Sequence, residues 1–328
     1  MRGRGFRLEG RMKVAADISR IRQVGVIGAG LMGHGIAQIF AVHGYEVRLT
    51  DSRKEALPEA MENVRSNLNL MAQRGIGKIS EVDPALARIK TTPDLGEAIK
   101  GAQFVVEAVS ENLDLKQRIF RDLDSLCGPE TVLATNTSVI SITEIAAKCL
   151  KRKRVVGTHF WNPPYLIPLV EVVRGKETSD EVMDLTFHLM KAVGKHPVRV
   201  HKDVPGFVGN RLQHALWREA ISIVEHGIAD AATVDECIRY GFGMRMPVLG
   251  PLENADMVGT DLTLAIHSYI LKYIESSPGP SPLLKKLVEE GNLGFKTGRG
   301  FQEWSPEKVG QSRTRLKEYL LEVTKGEM

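Results

Sequence analysis

The 328-residue chain contains no apolar run near the ~18 residues that a membrane-spanning helix requires, which argues against a membrane partner. Cysteine is scarce: Cys127, Cys149 and Cys237 match neither a disulfide framework nor the spacing of a zinc site. A sparse, odd set of this kind reads as reduced thiols in a cytoplasmic protein without a metal centre. Excess charge is also nearly absent. The formal net charge of +4 is that of residues 1–13 alone, where Arg2, Arg4, Arg7, Arg11 and Lys13 outnumber Glu9. The neutral remainder speaks against nucleic acid as a partner. That first segment lacks an apolar core, so it is not a secretory signal. We read residues 1–22 as an N-terminal extension, or as an upstream start before Met12. No internal repeat or low-complexity tract is visible, and organisation has to come from hydrophobic periodicity.

What is present begins with residues 24–37, VGVIGAGLMGHGIA, an apolar strand that runs into a glycine-spaced turn and then a helix. Gly28 suits the tight turn, Gly30 lets backbone approach a pyrophosphate, and Gly33 lets helix and strand pack closely. The free N–H groups of such a helix start, together with its dipole, favour an anion. A second apolar run, YEVRLTD, ends at Asp51, about twenty residues on. There a carboxylate would accept the ribose hydroxyls of NAD and repel the extra phosphate of NADP, with Arg53 close enough to soften that preference.

From residue 24 to about 200, β-branched runs alternate with helical stretches, the pattern of βαβ units. Strands are predicted at 23–27, 46–50, 103–108, 131–135, 155–159, 168–173 and 197–201. A helix at 54–74, longer than an ordinary crossover, predicts a projection standing off the sheet. After Pro205 the strand pattern stops, and helices are predicted at 206–226, 232–239, 255–274 and 282–290. The fold class is therefore α/β, a Rossmann-type doubly wound, mostly parallel sheet, followed by an all-α C-terminal domain. The predicted domains are residues 23–202 and 203–328. The basic run at 151–154 reads as a solvated helix-to-strand connection.

In such a sheet, ligands bind beyond the carboxyl ends of the strands. The sequence puts the glycines, Asp51, Glu107, Glu111, Asn136, Ser138 and His159 at those ends. A hydride leaving a carbinol carbon must be matched by loss of the hydroxyl proton, and histidine suits that task near neutrality. Glu171 lies inside the apolar strand PLVEVV, where a carboxylate is costly unless partnered. Pairing it with His159 would satisfy the acid and fix the base. Ser138 and Asn210 would hydrogen-bond the substrate oxygen, although Ser138 and Asn136 would equally cap a helix starting at Ile140.

The segments GAGLMGHGIA, VVEAVSENLDLKQRIF, ATNTS, THFWNPP, LVEVV, GFVGNRL, GPLENADMVGTD and GFKTGRGF occur in an order that resembles the L-3-hydroxyacyl-CoA dehydrogenase family across nearly everything after residue 22. The resemblance implies NAD-dependent oxidation of a 3-hydroxyl to a 3-keto group. Catalytic roles would fall to His159, Glu171, Ser138 and Asn210. Cofactor contacts would come from Gly28, Gly30, Leu31, Met32, Gly33, Asp51, Glu107, Lys116 and Asn136, and substrate contacts from Ser138, Asn162, Asn210 and Arg245. It also implies a homodimer through the helical domain, with the 54–80 projection helping to clasp a small-molecule substrate. Trp161 stands where the family usually has a second phenylalanine. NPPYLIPLVEVV and the GFGMR of 241–245 resemble the λ-crystallin / L-gulonate 3-dehydrogenase branch, in which Arg245 would be available for a free carboxylate. Two alternatives to a short-chain acyl-CoA enzyme thus stay open. One is a dehydrogenase of a free 3-hydroxy acid such as gulonate or carnitine; the other is a crystallin-like NAD-binding structural protein.

Overall fold

The computed structural model describes residues 17–327, so most of the expected extension lies outside the described residues. Asp17 caps a short turn and Ile21 is buried, so residues 17–22 belong to the folded body. The chain divides into two compact units. Unit one comprises residues up to Val208 together with Tyr319–Met328, and unit two is Gly209–Glu318. Helical structure replaces the sheet pattern where sequence predicts, but the boundary falls six residues later, and the end of the chain returns to the first unit.

Unit one runs β1 (Gln23–Ile27), α1 (Gly33–Val42), β2 (Glu46–Thr50), α2 (Ala56–Gln73), α3 (Val82–Ala87), β3 (Ile89–Thr92), α4 (Leu95–Ile99), β4 (Phe104–Glu107), α5 (Leu113–Leu126), β5 (Val132–Thr135), α6 (Ile142–Ile145), β6 (Val155–Phe160), β7 (Leu169–Val173), α7 (Asp180–Ala192) and β8 (His196–Val200). The strands form one sheet in the order β3-β2-β1-β4-β5-β6-β7-β8. The first six are parallel, β7 is antiparallel to β6, and β8 is parallel to β7. Chain direction across the sheet reverses between β1 and β4, which opens a crevice at their carboxyl ends. Helices cover both faces. Ile36 and Phe40 of α1, Val64 of α2 and Leu189 of α7 fill one core, and Phe120 and Leu123 of α5 with Ile145 of α6 fill the other.

Three features depart from the sequence expectation. β3 was not foreseen, because an edge strand reading IKTT has little apolar pattern to find. α2 does not stand off the sheet along its length, since Leu57, Ala60 and Val64 bury its first turns in the core. Only its far end, with Leu70 and Met71, packs elsewhere, against Ile76, Leu166 and Leu321. Arg154, read as solvated, is buried against Asp124, with N–O contacts of 2.9 and 3.2 Å. It also donates to the carbonyls of Asp124 and Gly128.

Unit two is helical: α8 (Gly209–Glu225), α9 (Ala231–Tyr240), α10 (Pro251–Val258), α11 (Thr260–Ile270), α12 (Pro282–Glu289) and the first turns of α13 (Pro306–Glu327). The single helix predicted at 255–274 is broken at Gly259, whose φ of 102° a helix does not tolerate. α13 carries too little apolar periodicity to be read from sequence.

Burial pushes the Cys127 thiol up to about 11 and that of Cys149 up to about 12, so neither is a nucleophile at neutral pH. Burial alone would also raise Asp124, but hydrogen bonds from Arg154 and from the amides of Leu150 and Lys151 outweigh it and hold the carboxyl below its ordinary value. Its folded value being depressed, the stabilisation is whole above the ordinary value of 3.8 and is lost as pH falls below it. Asp124→Asn leaves a buried guanidinium without its counter-charge. Urea titration should show a loss of about 3 kcal/mol at pH 7 that shrinks towards pH 3.

Candidate active site

The glycine turn joins β1 to α1 at the crevice. Gly28 has a φ of 101°, and a Cβ there would stand 2.7 Å from the Ala108 carbonyl oxygen. A Cβ on Gly33 would stand 1.7 Å from the Gly28 oxygen, whereas one on Gly30 would meet nothing within 4 Å. Two glycines thus build the turn, and the third leaves open space over it for a pyrophosphate. Leu31 is exposed and Met32 half-buried in the same turn. Asp51, at the end of β2, accepts from the Ala29 amide at 2.8 Å and from the Arg53 amide at 2.9 Å. Its carboxylate therefore holds the turn in place beside the position expected for a ribose.

The ends of β4 and β5 are joined by a buried ionic cluster. Lys116 Nζ donates to Glu107 at 2.7 Å, and neither side chain is exposed. Glu107 also accepts from the Val109 amide and the Thr135 hydroxyl. Both residues, expected to meet cofactor, are engaged inside the protein. The half-open acid of the cluster is Glu111, 3.4 Å from Lys116. One of its oxygens accepts from the Thr137 hydroxyl and from the amides of Ser138 and Val139, at 2.6–3.0 Å. Burial would raise the Glu111 carboxyl, but these donors and Lys116 prevail and hold it below its ordinary value. Ser138 is thereby fixed at the rim. Asn136 accepts from the Phe160 amide at 2.8 Å, which ties β5 to the end of β6.

His159 and Glu171 are direct cross-strand partners in the antiparallel β6–β7 register, so their side chains leave the same face. Nδ1 of His159 lies 2.7 Å from Glu171 Oε2, and both residues are buried. The other carboxylate oxygen, Oε1, accepts from the Val208 amide at 2.9 Å. The rings of Trp161 and Phe207 stand 5.3 and 5.8 Å from the imidazole. Phe207 holds a φ of 50°, unusual for a side chain of its size. It was missed from sequence, although the adjacent Pro205 and Gly206 signal an irregular turn there.

The structure thus brings His159 and Glu171 into contact, and sets Asn136 and Ser138 just beyond the end of β5, the strand beside β6. Asn162 is exposed in the loop after His159. Asn210 and Arg245 belong to unit two: Asn210 is buried in the first turn of α8, and Arg245 is exposed after a short turn at 242–244. No described helix is long and apolar enough to cross a membrane.

The glycine geometry separates two kinds of substitution. Gly33→Ala should lower the thermal midpoint measurably, because backbone has to move. Gly30→Ala should leave that midpoint unchanged yet weaken dinucleotide binding about tenfold or more in a fluorescence titration, since its Cβ would occupy the open space over the turn.

Comparison with known proteins is consistent with this arrangement. The family model "3-hydroxyacyl-CoA dehydrogenase, NAD binding domain" matches residues 23–204, and "3-hydroxyacyl-CoA dehydrogenase, C-terminal domain" matches residues 206–304. A probable 3-hydroxybutyryl-CoA dehydrogenase of Bacillus subtilis is 41% identical, over 87% of this chain and 98% of its own. The 5-formyl-3-hydroxy-2-methylpyridine 4-carboxylate 5-dehydrogenase of Mesorhizobium japonicum is 34% identical, over 88% of this chain and 93% of its own. A crystal structure of a 5-dehydrogenase of that pyridine carboxylic acid, described as an NAD+-dependent dismutase, superposes with a TM-score of 0.85 at 33% identity, covering 92% of this chain and 97% of that one. With an NAD-binding sheet domain, a helical C-terminal domain and relatives matched over most of their length, the chain belongs to the 3-hydroxyacyl-CoA dehydrogenase family of NAD-dependent oxidoreductases.

Proposed function

We propose that the protein oxidises the 3-hydroxyl of a short-chain L-3-hydroxyacyl-CoA to the 3-keto group, with His159 as the general base. The observation that carries this reading is the 2.7 Å contact between His159 Nδ1 and Glu171. A carboxylate at Nδ1 keeps the proton on that nitrogen and leaves the Nε2 lone pair to take the hydroxyl proton. As the imidazolium forms, its charge meets a carboxylate already buried beside it. Ser138, held by Glu111, would hydrogen-bond the oxygen as it becomes a carbonyl. The glycine turn and Asp51 would hold NAD, whose nicotinamide would be the hydride acceptor. Relatives named for 3-hydroxyacyl-CoA substrates support the thioester.

A second reading, oxidation of a free hydroxy acid, has its own support. Arg245 is exposed and has a fixed positive charge suited to a carboxylate, and a similar enzyme is named for a pyridine carboxylate. α2 carries no lysine, and its Arg65 is paired with Asp83, so that helix offers little to the phosphates of CoA.

We further read the protein as a cytoplasmic homodimer joined through unit two. There, large apolar side chains such as Tyr240, Leu252, Leu264 and Tyr269 are more than two-thirds exposed, and only Asn210 and Ser222 are buried. Patches of that kind on a soluble domain mark an interface.

NADH oxidation with acetoacetyl-CoA tests the leading reading. Turnover at micromolar substrate is expected, and absence of any rate at millimolar substrate would overturn the thioester assignment. Arg245→Met should leave that rate unchanged, and should raise KM about tenfold or more only for free acids. His159→Gln should lower kcat by roughly 10³-fold with NAD affinity retained; unchanged turnover would remove His159 as the base. Loss of turnover in the wild-type chain towards both substrate classes, with NAD still bound, would favour the crystallin-like role.

A further inference from the structure

We propose that the last turns of α13 are a positioning element for the loop 161–168, which connects the His159 strand to the Glu171 strand. Its relevance to catalysis rests on the reading of His159 and Asn162 given above; its structural core does not.

The loop is poor in amide donors, because residues 163, 164 and 168 are prolines. Several of its carbonyls, those of Pro164, Leu166, Ile167 and Pro168, therefore take donors from outside the loop. The Pro163 oxygen accepts from the amides of Leu166 and Ile167, and the Pro168 oxygen from the His196 amide. The Pro164 and Ile167 oxygens both accept from Lys195 Nζ. The Leu166 oxygen shares the hydroxyl of Thr324 from α13, at 3.2 Å, with the Leu320 carbonyl of that helix, at 2.7 Å. Leu166 itself is 3% exposed and packs with Leu321 of α13 and Ile76, flanked by Leu70, Met71 and Leu320. One residue on α13 thus reaches a backbone carbonyl of the loop, and another fills the apolar pocket beneath it.

The opposite side of the loop rests on α1, the helix that leaves the glycine turn. A Cβ on Gly35 would stand 2.6 Å from Pro164 Cγ. The loop is therefore clamped between α1 and the end of α13, and at its start it carries Trp161, beside the His159 ring, and Asn162. Releasing the clamp would let those two residues shift, while Glu171 and the strand register continue to hold His159. The consequence would fall on substrate binding, with NAD binding spared. α13 begins after residue 304, where the family match ends, so the clamp comes from a part of the chain that the shared sequence pattern does not cover.

Hydrogen–deuterium exchange on the full chain and on Leu321→Ala, Leu321→Met, Thr324→Val and a chain ended after Glu318 tests the clamp directly. In Leu321→Ala and in the shortened chain, the Leu166 and Ile167 amides should exchange about tenfold faster or more, with β1 amides unchanged. Thr324→Val should show a smaller increase, and Leu321→Met should restore protection. KM for the oxidised or reduced substrate should rise in parallel while the NAD dissociation constant stays within about twofold, by the same local-opening argument. Unchanged loop exchange in both Leu321→Ala and Thr324→Val would overturn the proposal. So would uniform acceleration across the first unit, which would mean general loss of stability. A loop that loosens as expected in an enzyme inactive on every hydroxy substrate would overturn the proposed function and leave the clamp standing. Normal turnover with an unmoved loop would do the reverse.

Discussion

One buried carboxylate organises the centre of this protein. Glu171 sits in the middle of an apolar strand, where an ionised side chain costs several kcal/mol unless both oxygens find partners. They do: one oxygen holds Nδ1 of His159, and the other takes the amide of Val208, the residue just before α8. The same group therefore fixes the imidazole and anchors the end of the sheet unit. Because the two oxygens serve different segments, neither contact is readily lost without exposing the other to an unpaired charge.

The antiparallel return of β7 makes that contact possible. A connection of eight residues with three prolines has no room for a helical crossover, so the strand after β6 comes back beside it and sets residue 171 directly opposite residue 159. The parallel part of the sheet does the complementary job of lining up the glycine turn, the ends of β4 and β5, and His159 on a single rim. Glu111 and Asn136 then cross-link neighbouring strand ends at that rim, one through the amides around Ser138 and the other through the amide of Phe160. Chemistry and architecture meet where backbone amides at strand ends are satisfied by carboxylates and an amide side chain.

Much of this was legible in the sequence, for identifiable reasons. The glycine spacing encodes contacts so close that a Cβ is excluded, and a lone acid in an apolar strand demands a partner. Strand starts in the parallel sheet were readable because both of its faces are buried. Other features left no comparable mark. Arg154 reads as a solvated cation and Lys116 as a cofactor contact, and the buried acid that each meets, Asp124 and Glu107, is fixed only by the fold. β3 is short and polar because it lies at an edge. The Val208 amide and the Thr324 hydroxyl act through tertiary contacts that no local pattern announces. Glu107 ends β4 and Glu111 follows four residues later, and only the fold distinguishes the buried one from the one that reaches Ser138.

The account turns on Glu171 acting on His159 as its charge partner and not merely as core filling. Steady-state kinetics of Glu171→Gln, which keeps the shape and removes the charge, address this most directly. A fall in kcat of roughly 10³-fold or more, with the NAD dissociation constant and thermal midpoint little changed, is the result predicted for a carboxylate that stabilises the imidazolium. A kcat within about fivefold of the parent enzyme would contradict it, because the loss of a charge partner in a buried site is worth far more than that.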